Sequence, residues 1–304
     1  MDRLEAMSLL VAAVDSGSLS KASRALGLPL ATVSRKVADL EANLKTTLLI
    51  RSSRGLELTP AGRDYVVAAR TILEQVAEAE RAAAGEYAEP KGELVVTAPT
   101  MFGRLHLLPV ATAFLSTYPD VAVGLMLTDR VTHFLDDQVD VALRIGALAD
   151  SSLVATRIGW LRRVMCASPD YLAAHGAPDA PEDLADHQVI SFDDAPVQTA
   201  WSFWQGGAEV SAPFRPRLSV TTIEAAIDAG LAGAGLVRAL SYQVAEAVRD
   251  GRLRVVLADF EPPPRPVHLV YNRQARMPLK LRAFVDFAVP RLRERLELTT
   301  LQAS

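Results

Sequence analysis

Residues 4–44 carry three runs of helical apolar spacing separated by single glycines, and few folds satisfy that pattern. Leu4, Met7, Val11 and Val14 recur at intervals of 3, 4 and 3, which predicts one buried face of a first helix. Gly17 closes that run, and Ser18 or Ser20 can cap a second helix through Ala22, Ala25 and Leu26. Gly27 breaks the second run and Leu28-Pro29 makes a tight connection. Val33, Val37, Leu40 and Leu44 then recur at 4, 3 and 4 as the inner face of a third helix. A small residue, a glycine four later and a valine six after that, here Ser23, Gly27 and Val33, is the helix-turn-helix pattern. Gly27 permits the positive φ of the sharp turn, and Val33 packs the helices together.

This arrangement leaves Leu30, Ala31, Thr32, Ser34, Arg35 and Lys36 near the exposed start of the third helix, beside Ser18 and Ser20. Residues at that position of a helix-turn-helix reach base edges in a DNA major groove. Arg35 can bond a guanine bidentately, Ser34 a base or a phosphate, and Lys36 a phosphate. Two short extended pieces then flank Arg54-Gly55 and predict a β-wing, with Arg51 and Arg54 set against the backbone or a minor groove. The charge distribution agrees. The chain has net charge −4, yet residues 21–54 hold seven basic and two acidic residues, net +5, while residues 89–304 hold 21 basic and 25 acidic. A chance cluster on a solvated face gives the same charge alone. The helix order, turn glycine and basic wing together weigh against an ordinary three-helix fragment.

The run GSLSKASRALGLPLATVSRKVADLE…LLIRSSRGLELTPAG resembles the N-terminal signature of the LysR-type transcriptional regulators, over about residues 2–65. Three residues depart from that pattern. Leu30 stands where the family commonly has glutamine, Lys45 where glycine is usual, and Leu49 where phenylalanine is usual. At Leu30 a polar base contact is lost or replaced by an apolar contact to a thymine methyl.

Thr59 can cap the next helix, and Pro60 suits its first turn. Tyr65, Ala69, Ile72, Val76, Ala79 and Ala83 then recur at 4, 3, 4, 3 and 4, a heptad seam. Such a stripe needs a partner, either its own domain or a second copy of the chain. The resemblance implies the second: a dimer, able to assemble further into a tetramer, that sets two winged domains on a two-fold, inverted-repeat operator.

The remainder alternates strand and helix. Strands are expected at 94–97, 121–127, 139–145, 164–167, 189–192, 218–220, 236–238 and 266–272, and helices at 102–116, 131–136, 223–232, 241–249 and 279–296. This predicts α/β architecture with largely parallel sheets. The segments DVALRIG, ASPDYLAAHG, DLADH, AGLAGAGLV and LRAFVDF are similar to the family's effector domain, which resembles a periplasmic binding protein. The expected whole is an α+β / α/β multidomain chain: a winged helix-turn-helix (1–59), a dimerisation linker helix (60–88) and a two-lobed effector domain (89–304). Lobe I takes 92–162 and 266–300, and lobe II takes 163–265.

Ligands of open α/β sheets bind beyond the carboxyl ends of strands. Those ends give three places for a small effector: Pro99, Thr100, Met101 and Phe102 at a helix start suited to an anion, Arg144 and Ile145, and Thr221 and Thr222. Simple capping by Thr100 and Thr222, or an Arg144–Asp140 pair, are the plain alternatives. A carboxylate-bearing or aromatic metabolite fits the expected seat. RNA polymerase is a further partner if the protein activates.

Other classes lack support. The five histidines are scattered, and there is no GxSxG, P-loop or GxGxxG after a strand. Neither an enzyme, a cofactor nor a metal site is expected. An architectural DNA binder would need no two-lobed remainder. Cys166 is the single cysteine, which suits inert packing in a reducing cytoplasm, and no apolar run reaches the length of a membrane span. Arg35→Ala is expected to relax base preference and weaken specific binding by about 1–3 kcal/mol, read by titrating matched and single-substituted duplexes.

Overall fold

The computed structural model describes residues 2–52, 55–83, 89–130, 139–148, 153–192, 200–273 and 277–299. The expected helix at 131–136 and Arg54 lie outside them, as do the side chains of Arg51 and Ala83. The chain divides into two units, Met1–Lys91 forming most of the first and Gly92 onward most of the second.

The first unit begins with α1 (Arg3–Asp15), α2 (Leu19–Ala25) and α3 (Leu30–Leu44). A hairpin of β1 (Leu49–Ser52) and β2 (Gly55–Leu58) follows, then α4 (Pro60–Ala83). Caps start the helices. Asp2 accepts from the N–H groups of Leu4 and Glu5 at 3.0 and 3.2 Å, Ser18 from Lys21 at 3.1 Å, and Thr59 from Gly62 at 2.8 Å. Gly27 takes φ +65° in the turn, and the buried Ser23 hydroxyl clamps it by donating to the Leu28 carbonyl at 2.6 Å.

The face of α1 differs from the spacing-based expectation. Ala6, Leu9, Leu10 and Ala13 are buried, whereas Leu4 is 39% exposed. The sequence LLVAAV is apolar almost all round, and α1 touches α2, α3 and α4 at once, so a single stripe cannot describe it. Leu44 is also exposed, leaving Val33, Val37 and Leu40 as the buried face of α3.

In the second unit β3 (Gly92–Ala98) leads into α5 (Thr100–Phe102), a π-turn (Gly103–Leu107) and α6 (Leu108–Thr117). Pro109 has no N–H to return to Leu105, which favours this widening. The π-turn buries His106 beside Phe102, and burial, with Arg295 adding to it, lowers its pKa to about 4. Then come β4 (Val121–Leu127), β5 (Val141–Ile145), β6 (Leu153–Leu161), β7 (Arg163–Ala167), α7 (Pro169–His175) and β8 (Val189–Phe192). A hairpin of β9 (Ala200–Gln205) and β10 (Ala208–Pro213) precedes β11 (Pro216–Val220), α8 (Ile223–Leu231), β12 (Leu236–Leu240), α9 (Ser241–Arg249) and β13 (Arg254–Val256). The chain ends with β14 (Arg265–Asn272) and α10 (Leu279–Glu297).

These strands form two five-stranded sheets, ordered β4-β3-β5-β14-β6 and β11-β8-β12-β7-β13. The chain leaves the first sheet between β6 and β7, at Arg162, and returns between Phe260 and β14. A largely parallel arrangement is corrected to a mixed one. β3 runs parallel to β4 and β5, and β8 to β11 and β12, but β14 is antiparallel to β5 and β6, and β7 to β12 and β13. β7 and β14 are the two strands that enter a sheet directly from a crossing, so they begin at the end where β3, β5, β8 and β12 finish. The sequence reading also missed β6 and the β9–β10 hairpin, although Gly206-Gly207, at φ +59° and +85°, is a two-residue hairpin turn.

The family departure at Lys45 proves to be conformational: this residue closes α3 in the left-handed region at φ 53°. A side chain there costs about 1–2 kcal/mol, against about 0.5–1 kcal/mol of extra chain entropy for glycine. Lys45→Gly is therefore expected to stabilise the protein by roughly 0.5–1 kcal/mol in chemical denaturation.

Candidate functional site

The residues expected to face DNA sit at the start of α3, held from behind by the fully buried Val33 and Val37. Leu30 is the first helical residue and is 45% exposed. Ala31 and Arg35 are exposed, and Thr32 and Ser34 are half-buried. Positions 30 and 34, and 31 and 35, are one turn apart, so the four share one face. Lys36 is half-buried and paired with Glu5 of α1. Such a partly exposed pair is worth about 0–1 kcal/mol, so a phosphate can replace the carboxylate. Ser18 is occupied as the α2 cap, and the exposed Ser20 offers its carbonyl to Arg24 at 3.4 Å.

The wing is fixed to α3 by a residue that pattern reading did not single out. The Glu41 carboxylate accepts from the backbone N–H groups of Leu48 and Leu49 at 2.7 and 3.0 Å. Its signal was that it is one of only two acids, with Asp39, in an otherwise basic stretch.

Along α4 the heptad positions fall in two sets. Ala69 is buried, Tyr65 packs partly into the helix-turn-helix core beside Val66, and Arg70 pairs with Asp15 of α1. Farther along, Ile72 is 38% exposed, Val76 is half-buried and Ala79 is exposed.

Between the two sheets of the second unit lies a cleft of about 430 Å³. Pro99 and Ile145 line it, at the carboxyl ends of β3 and β5. The other expected contacts do not appear in the described lining of this cleft. The helix-start seat is already filled: the Thr100 N–H donates to the Asp129 carboxylate at 3.1 Å, so no free anion position remains on that backbone group. Met101 and Phe102 are buried, and Phe102 packs on Tyr242 with ring centroids 5.2 Å apart rather than facing the cleft. Arg144 stands opposite His268 within the first sheet, away from the cleft lining. Thr221 and Thr222 are exposed, and Thr222 caps α8 by accepting from Ala225 at 3.3 Å, leaving Ile223 to line the cleft.

The cations of the cleft are instead Arg163, Arg238 and Arg265. Arg163 opens β7 and Arg265 opens β14, so a search of carboxyl ends passes over both. Arg238 lies near the end of β12, with its guanidinium 5.6 Å from the Trp201 ring and 5.8 Å from Phe203. Burial, then repulsion from Arg163 and Arg265, lowers the Arg238 pKa to about 9. Arg163 is shifted the same way by burial and Arg265. Cys166 is fully buried, and burial pushes its thiol up to about 12, which keeps it unreactive. No group of His, Cys, Asp and Glu suited to a metal occurs among the described residues, and no described helix is long and apolar enough to cross a membrane.

Two family models match the sequence: the bacterial regulatory helix-turn-helix protein of the lysR family over residues 4–63, and the LysR substrate binding domain over residues 88–293. An HTH-type transcriptional repressor of Pseudomonas aeruginosa is 33% identical over 300 residues, covering 98% of this chain and 95% of its own. The transcriptional regulator CrgA of Neisseria meningitidis (strain MC58) is 33% identical over 292 residues, covering 95% and 96%. Among solved structures, CrgA, a LysR-type transcriptional regulator, matches at TM-score 0.61 and 32% identity over 95% of this chain and 98% of its own. The full-length Vibrio cholerae virulence activator AphB matches at 0.61 and 29%, over 94% and 98%.

Glu41→Ala strips two backbone N–H groups of their carboxylate. The expected loss is about 2 kcal/mol of stability in denaturant titration, with weaker DNA binding because the wing loses its anchor to α3.

Proposed function

We propose, from the premise that this chain belongs to the LysR family of bacterial transcriptional regulators, a specific division of labour for it. It is a DNA-binding regulator with an effector domain, and its family consists of transcription regulators rather than enzymes. Leu30, Ala31, Ser34 and Arg35 read base edges, Arg35 by a bidentate bond to guanine and Leu30 by contact with a thymine methyl. Thr32, Lys36 and the wing arginines Arg51 and Arg54 hold the phosphates or a minor groove, with Ser18 and Ser20 beside them. The observation that carries this reading is the exposed face at the start of α3, set by the Gly27 turn and the buried Val33.

The part of α4 from Ile72 onward is the proposed seam of a dimer, with Val76, Ala79 and Ala83 on the same heptad positions. Tyr65 and Ala69 anchor that helix to its own domain. Two copies would face an inverted-repeat operator in the cytoplasm, alone or as a tetramer, and would contact RNA polymerase if the protein activates. A small effector sits in the interlobe cleft, where Pro99 and Ile145 are joined by the arginines.

Selection of bound duplexes from random sequence, run with and without a pool of small metabolites, tests this reading. A discrete inverted repeat whose occupancy changes with the pool is the expected result. Even coverage of all sequences, indifferent to the pool, would mean an architectural DNA binder instead.

A further inference from the structure

We propose that the molecule taken by the cleft carries two anionic groups on a small apolar frame, held by Arg163, Arg238 and Arg265. This rests on the reading that the cleft is the ligand site, and it goes beyond that reading by naming the ligand's charge.

The first argument is a charge count. Three guanidiniums line a space of about 430 Å³. None of the three forms an ion pair among the described residues. One carboxylate shares the lining, that of Asp129, and it accepts from the Thr100 N–H. Glu261 stands nearby at the returning crossing, but both its oxygens are taken by Arg162 at 2.7 Å. Three positive charges against one negative leave the described lining at net +2. Partly buried charges without counterions are unfavourable, and burial first, then mutual repulsion, lowers the Arg238 and Arg163 values. A dianion neutralises that excess. Guanidinium forks match carboxylate and phosphate oxygens, so either group supplies the chemistry.

The second argument is placement. Arg163 and Arg238 belong to the second sheet, whereas Arg265 opens β14 in the first. Two anionic groups on one frame can meet the arginines of both sheets at once and tie the lobes together. Arg265 also has a prepared position. It lies against Gly146, where a Cβ would stand 2.7 Å from its Nη2. Arg238 is flanked by two aromatic faces. The frame between the charges would meet Ile190, Phe192, Trp201 and Ile223.

Thermal unfolding of the full-length protein, at matched ionic strength, tests the proposal with five probes: phthalate, succinate, phenyl phosphate, benzoate and benzamide. Phthalate is expected to raise Tm at concentrations about tenfold lower than benzoate, with benzamide inert. Comparing phthalate and succinate with phenyl phosphate shows whether carboxylate or phosphate is preferred. Arg238→Gln and Arg163→Gln are each expected to abolish the phthalate response and, without any probe, to raise Tm by removing an uncompensated charge. Benzoate or benzamide acting as strongly as phthalate would overturn the dianion and leave the cleft reading standing. No response to any dianion, or a lower Tm in both probe-free variants, would also overturn it. The cleft reading itself fails separately, if the metabolite pool never changes operator selection.

Discussion

The bidentate ion pair between Arg162 and Glu261 fastens the outgoing and returning chain crossings of the effector domain to one another. Arg162 is the single residue between β6 and β7, and Glu261 begins the segment that leads back to β14. The guanidinium meets the carboxylate through two 2.7 Å contacts, so both crossings are fastened to one another. The Arg162 carbonyl also accepts from the Ser241 N–H at 2.8 Å, which joins the crossing to α9. Because the pair is largely shielded from water, removing one partner would leave a charge in need of solvent.

Strand direction and cleft chemistry both follow from those crossings. β3, β5, β8 and β12 finish at the cleft, and β7 and β14, reached through the crossings, start there. Pro99, Ile145 and Phe192 therefore arrive from carboxyl ends, and Arg163 and Arg265 from amino ends. Glu261, committed to Arg162, is kept from neutralising its neighbours. The latch that holds the lobes thus also helps leave the cleft cationic.

The sequence was most legible where one residue type serves one geometric need. Ser23, Gly27 and Val33 announced the turn because each has a distinct task there: a clamp, a positive φ and a core contact. It was less legible where surroundings decide. α1 is apolar on nearly every side, and only its three helical neighbours select Ala6, Leu9, Leu10 and Ala13 as the buried set. Thr100 looked like an anion seat because its partner Asp129 is 29 residues away, beyond any local pattern. The three arginines were missed for the same reason. They lie between positions 163 and 265 and converge only once two sheets have formed. Lys45 was visible as a departure from its relatives, but its left-handed backbone was not.

Under the proposed division of labour, a ligand on the cleft arginines changes how the α3 face holds DNA. Linkage makes that claim quantitative, because coupling between two binding sites is reciprocal. The direct measurement is a pair of titrations on the full-length protein: operator affinity with and without saturating dianion, and dianion affinity with and without operator. The account predicts that both affinities change, and by the same factor. A dianion that binds the cleft while leaving operator affinity unchanged would contradict it.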